Sequence, residues 1–190
     1  DDKNFLTNPD YRGLGLAQLR WMWPTFHLGH YIPLSWMSLG LDYTIWGMDA
    51  TGYHLTNLLL HASASVMVYV IARRLITPRG GIRDGGERDA PWIPLAAAVG
   101  ALFFAVHPLR AESVAWITER RDVLSETFSL LSLYGFLRST DGGDGRWRWY
   151  GGSLALFVCG VLSKGTVLTL PALLLVLNIF PLRRLGGPRS

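Results

Sequence analysis

Residues 50–72 read ATGYHLTNLLLHASASVMVYVIA, 23 consecutive positions without Asp, Glu, Lys or Arg. About 20 apolar residues in a helix cross the roughly 30 Å hydrocarbon core of a bilayer, so this run predicts a transmembrane helix near 52–74. Working outward, residues 90–109 (APWIPLAAAVGALFFAVHPL) form a second charge-free run of 20. Two further runs, 149–163 and 165–182, are parted by Lys164 alone, and 123–137 is interrupted only by Glu126. Local thinning of the bilayer accommodates these shorter runs. Backbone amides in hydrocarbon have to pair within their own segment, which makes the spans helices. The expected fold is all-α: a polytopic helical membrane protein with about five transmembrane helices, near 52–74, 92–108, 122–138, 149–164 and 165–181.

Composition agrees with this reading. The 190 residues are 49% hydrophobic and 17% charged, with a mean hydropathy of +0.23, whereas soluble domains carry about a quarter charged residues. That balance argues against a soluble globular domain, a secreted mini-protein and a disordered tail. One cysteine, Cys159, excludes a disulfide scaffold and a cysteine-built zinc site. Residues 21–41 are also charge-free, but Pro24, Gly29, Pro33 and Gly40 interrupt them and Trp and His enrich them. Aromatic rings with polar edges favour the headgroup zone. This stretch therefore predicts interfacial helices in an external loop, 1–50, ahead of a membrane core, 51–185, and a cytoplasmic tail, 186–190.

Arginine sets the expected topology. Of 18 basic residues 16 are Arg, and they punctuate the apolar runs rather than forming one patch, which argues against nucleic acid. Alternate connections and the C-terminal segment collect eleven basic residues and five acids, net +6; the opposite side carries net −2. The positive-inside bias puts the first set in the cytoplasm. Residue 1 is then external and the C-terminus cytoplasmic, and the simplest expectation is a chain truncated at both ends, its first transmembrane helix missing.

The external side holds the polar clusters. Ionisable groups near span ends are costly, and those retained tend to pair or to serve a site. Asp1 and Asp2 stand side by side, a candidate general base with its orienting partner or a divalent-cation site. His27 and His30 offer a donor to phosphate, a metal ligand or interfacial hydrogen bonds. His54, Asn57 and His61 fall at i, i+3 and i+7, a polar stripe on one helix face. The segment HPLRAESVAWITERRDVLSE (107–126) packs His107, Arg110, Glu112, Glu119, Arg120, Arg121 and Asp122 into sixteen residues. Its pattern predicts one helix after His107-Pro108, with Glu112, Trp116 and Arg120 on a common face. Its acids and bases either salt-bridge internally or leave arginines free to bind phosphate bidentately. Lys164, alone between two apolar runs, either snorkels or meets a phosphate. Together these clusters predict one anionic-ligand site at the outer membrane face.

The segments DDKNFLTNP, IPLSWMSLGLDYTIWGMDATGYHLTNLLLHA, FAVHPLRAESVAWITERRDVLS and LSKGTVLTLPALLLVLNIFPLRR resemble the transmembrane and tetratricopeptide-repeat O-mannosyltransferase family and its bacterial relatives, of the GT-C class. The resemblance implies a GT-C-like fold. It also implies a glycosyltransferase that moves a sugar, mannose in the eukaryotic branch, from a polyprenyl-phosphate donor to a protein Ser or Thr hydroxyl at the outer or lumenal face. By motif match the catalytic acids are Asp1 and Asp2. Candidate donor-phosphate and lipid ligands are His107, Arg110, Arg120, Arg121 and Lys164. His27, His30, His54, Asn57, His61, Glu112, Glu119 and Asp122 are further site candidates. The chain departs from the family pattern at Ile32, where His or Arg is common, and at Gly165, where Pro or Glu is usual. No cofactor is required; a divalent cation would sit on Asp1 and Asp2. Expected partners are the lipid-linked sugar, an acceptor protein and membrane lipid, in a bacterial inner membrane or the endoplasmic reticulum. The competing readings are a non-catalytic membrane scaffold or subunit and a lipid or solute transporter.

Overall fold

The computed structural model describes residues 7–27, 29–77 and 90–179. Asp1 and Asp2, the 78–89 connection and the tail 186–190 lie outside them. The described residues form an all-α body with one small antiparallel ladder, β1 (Phe26–His27) against β2 (His30–Tyr31). Two helices occupy the stretch expected to lie in the interface, α1 (Leu16–Met22) and α2 (Pro33–Trp46). Then come α3 (Ala50–Ile76), α4 (Trp92–Val106), α5 (Pro108–Ala115), α6 (Arg120–Ser139), α7 (Arg146–Ser163) and α8 (Leu170–Ile179), the last preceded by a 3₁₀ turn over Gly165–Thr169.

Local chemistry sets the helix ends. The Asp49 carboxylate accepts from Thr51 N at 3.0 Å and starts α3, satisfying an amide that has no partner inside the helix. Pro33 and Pro108 open α2 and α5, where their missing N–H costs nothing and their fixed φ suits a first turn. Asp141-Gly142-Gly143 reverses the chain between α6 and α7 with φ of 82° and 85° at the two glycines.

The long helices pack in the order α4–α3–α6–α7. α6 runs parallel to α3: Thr127 Oγ1 reaches Leu60 O at 3.4 Å, and further along Arg74 Nη2 reaches Leu137 O at 2.9 Å. α6 and α7 are antiparallel and close, because Ser132, Gly135, Ser153 and Gly160 leave room for the backbones. Ser132 and Ser153 donate to each other's carbonyls at 2.8 and 2.7 Å. One apolar core joins Tyr11, Met22, Ile32, Trp36, Leu39, Tyr53 and Ile117. It seats the N-terminal helices against one end of the bundle, and Ser35 Oγ ties α2 to Ser163 O at 3.0 Å. A second core, around Ile71, Leu133 and Leu137, fills the other end.

Among the described residues, α3 alone is long and apolar enough to cross a membrane, and only 22% of its most apolar window is buried. A second span results if α4 and α5, bent by 55° at His107, count as one broken helix. The helical stretch expected after His107-Pro108 is corrected: α5 ends at Ala115, Trp116 is extended (φ −95°, ψ 128°) and a 3₁₀ turn over Ile117–Glu119 leads into α6. Glu112, Trp116 and Arg120 therefore share no helix face.

Candidate functional site

The C-terminal ends of α4 and α7 and the N-terminal ends of α3 and α6 meet at one end of the bundle, and most of the ionisable residues singled out from the sequence collect there. Arg120 begins α6 and is fully buried. Its Nε donates to Asn57 Oδ1 at 2.5 Å, its Nη1 to Ser38 Oγ at 3.0 Å, and its Nη2 to Asp42 Oδ2 at 2.5 Å and Tyr53 O at 3.0 Å. Thr56 donates to the other Asp42 oxygen at 2.9 Å. The guanidinium thus faces the protein interior, where an external phosphate would have to displace a buried carboxylate. Arg120 joins α2, α3 and α6 instead.

The remaining cations border open space. A cavity of about 510 Å³ lies between α5, α6, the 165–169 turn and the start of α8, and Arg110, Asp122, Glu126 and Lys164 line it. Arg110 Nη1 pairs with Glu126 Oε1 at 2.8 Å while its guanidinium lies 4.7 Å over the Phe104 ring. Lys164 Nζ pairs with Asp122 Oδ1. A second cavity, of about 330 Å³, is lined by His30, Ile32, Arg121, Lys164 and Gly165. Arg121 Nη2 holds Glu119 Oε1 at 2.9 Å, and its Nε is buried without a partner among the described residues. Both volumes suit small-molecule sites, and Lys164 is the wall they share.

The other predicted residues are spread around this end. His107 caps α5 through Nδ1, which accepts from Leu109 N at 3.3 Å, and its ring meets the Phe103 edge. The polar stripe on α3 divides. His54 is exposed, whereas Asn57 is buried and donates to Val114 O and Trp116 O at 3.3 and 3.0 Å. His61 donates through Nε2 to Ala105 O at 3.0 Å and stacks on Phe104. Glu112 is exposed on α5. His27 pairs by its backbone with His30 in the ladder, and His30 faces the smaller cavity. Asp1 and Asp2 lie outside the described residues. Among the described residues no three His, Cys, Asp or Glu come together as a metal would need. Burial pushes the Tyr11 phenol above its ordinary range, opposed by Tyr53 and Arg12, so it stays neutral beneath α2.

Sequence reasoning missed Asp42 and the role of Glu126. Each left a signal. Glu126 is the sole charge in the 123–137 run and Asp42 ends a charge-free stretch; isolated acids in apolar surroundings want a cation.

The chain is 34% identical over 158 residues to the human protein O-mannosyl-transferase TMTC2, covering 82% of this chain and 17% of that protein. It is 36% identical over 161 residues to the Drosophila melanogaster protein O-mannosyl-transferase Tmtc2, covering 82% and 15%. The human protein O-mannosyl-transferase TMTC4 is 30% identical over 156 residues, covering 78% and 21%. The chain therefore spans about a fifth or less of the length of these curated relatives. No family model and no solved structure matches it.

Proposed function

This chain is homologous to part of the transmembrane and tetratricopeptide-repeat O-mannosyltransferases, and from that premise we propose that it is a membrane-embedded segment of a GT-C-type protein O-glycosyltransferase. The donor is a sugar, mannose by homology, on polyprenyl phosphate, and the acceptor is a protein Ser or Thr hydroxyl. The five apolar segments span the membrane, with the net-positive connections on the cytoplasmic side and the cation-lined cavities on the opposite face. One observation carries the reading: Arg110, Arg121 and Lys164 border two adjoining cavities at a single end of the bundle.

Asp1 or Asp2 removes the acceptor hydroxyl proton as that oxygen attacks the anomeric carbon. The new C–O bond forms while the bond from that carbon to the phosphate oxygen breaks, and the configuration inverts. Polyprenyl phosphate departs as an anion held by fixed positive charge. Such a leaving group needs no strong acid, so neither a metal nor a second catalytic proton is required. Lys164 and Arg110, each paired with a carboxylate, exchange that partner for donor oxygens.

The same ion pairing also favours a second reading, a non-catalytic scaffold in which the charges only hold helices together. In the full-length protein, replacing Asp1 and Asp2 by Asn is expected to lower transfer of radiolabelled sugar from lipid to protein by at least about 100-fold, the scale of a positioned general base. Undiminished transfer would remove the acid pair from the chemistry. Wild-type protein that transfers no sugar would leave the scaffold.

A further inference from the structure

The two cavities differ in the hydrogen bonds they offer, and the difference discriminates between the parts of a ligand. Among the described residues that line the smaller one, the titratable side chains are His30, Tyr31, Arg121 and Lys164, with no carboxylate. Glu119 reaches Arg121 at 2.9 Å without lining the cavity. Arg121 Nε is a buried donor without an acceptor among the described residues. This wall donates; its natural occupant is a group that only accepts, such as an ionised phosphate.

The larger cavity presents Asp122 and Glu126 opposite Lys164 and Arg110, interleaved with the hydroxyls of Ser125, Ser129, Thr166 and Thr169. Carboxylates only accept, ammonium and guanidinium only donate, and the hydroxyls of Ser125, Ser129 and Thr169, each donating its proton to a backbone carbonyl, are left to accept. A phosphate there would face two carboxylates at close range, which repel it. A polyol is complementary, since each of its hydroxyls both donates and accepts.

We infer that the site is divided: the smaller cavity takes the phosphate of the donor and the larger takes the sugar ring, with Lys164 at the junction touching both. This assignment rests on the transferase reading and makes Glu126, Asp122 and Ser129 determinants of sugar binding rather than of phosphate binding. Ile32 and Gly165, the two departures from the family pattern, both line the phosphate compartment. A side chain at position 165 would enter open space.

Binding of farnesyl phosphate and of farnesyl phosphoryl mannose to the full-length protein in nanodiscs tests the division, with inorganic phosphate separating recognition of the anion from that of the lipid. Wild type is expected to prefer the mannosylated ligand. Arg121→Gln should weaken both lipids by about tenfold or more, the loss of one charge-assisted hydrogen bond, and should weaken inorganic phosphate likewise. Glu126→Gln and the milder Ser129→Ala should abolish the preference for mannose and leave farnesyl phosphate within about twofold of wild type. Ser129→Ala keeps the test open if Glu126→Gln does not fold. Retention of the mannose preference in the folded variants, or phosphate binding indifferent to Arg121→Gln, overturns the division while the transferase reading stands. Wild-type protein that binds neither lipid overturns both.

Discussion

The guanidinium of Arg120 donates to four acceptors, and its counter-ion Asp42 accepts from Thr56 as well. A buried ion pair contributes little net stability against an apolar replacement, but removing one partner strands a charge in a low dielectric and costs about 3–5 kcal/mol. Asp42→Ala is therefore expected to lower unfolding stability by about 3–5 kcal/mol, seen as a large drop in Tm in detergent, with Asp42→Asn losing less because it keeps an acceptor. A Tm within a degree of wild type would show that water reaches the pair. Residue types in 107–126 made the cationic cluster legible, yet Arg120 and Arg121, neighbours in sequence, have different fates. Arg120 turns inward to Asp42, 78 positions away, and Arg121 borders a cavity. Sequence spacing does not resolve that choice, because it depends on where another helix puts its acid.

Helix boundaries divide along the same line. Asp49, Pro108 and the Gly142-Gly143 turn are local signals, and each lies at a helix boundary or between two helices. Left-handed φ costs an L-residue about 1–2 kcal/mol, so replacing Gly142 and Gly143 by Ala is expected to destabilise the α6–α7 hairpin by about that much per site. Thermal unfolding of the single and double variants measures it, and because the two sites are adjacent in one turn their effects are expected to couple rather than add. The break at Trp116 carries no Gly or Pro. It persists because the carbonyls of Val114 and Trp116 are satisfied by Asn57 Nδ2 from α3, a tertiary substitute for helical hydrogen bonds.

For the molecule as a whole, the proposed orientation has a direct test. With Cys159 replaced by Ser, a cysteine at position 112 should react with a membrane-impermeant maleimide in intact cells, and one at position 144 only after permeabilisation. Equal labelling of both would refute the arrangement and with it the outer-face placement of the cavities. The exposed apolar faces of α4, including Leu102 at 63% and Val106 at 75%, are surfaces that water would penalise.

Chain alone determined that this protein is built of helices, where most of them lie and which end gathers its charge, because run length, capping residues and the cost of ions beside apolar segments are local or additive quantities. Only the tertiary structure decided which cation is sealed into the frame and which two cavities the others border. Ion pairs such as Lys164–Asp122, 42 positions apart, form or fail according to how helices are laid side by side, and no pattern along one strand of sequence encodes that contact.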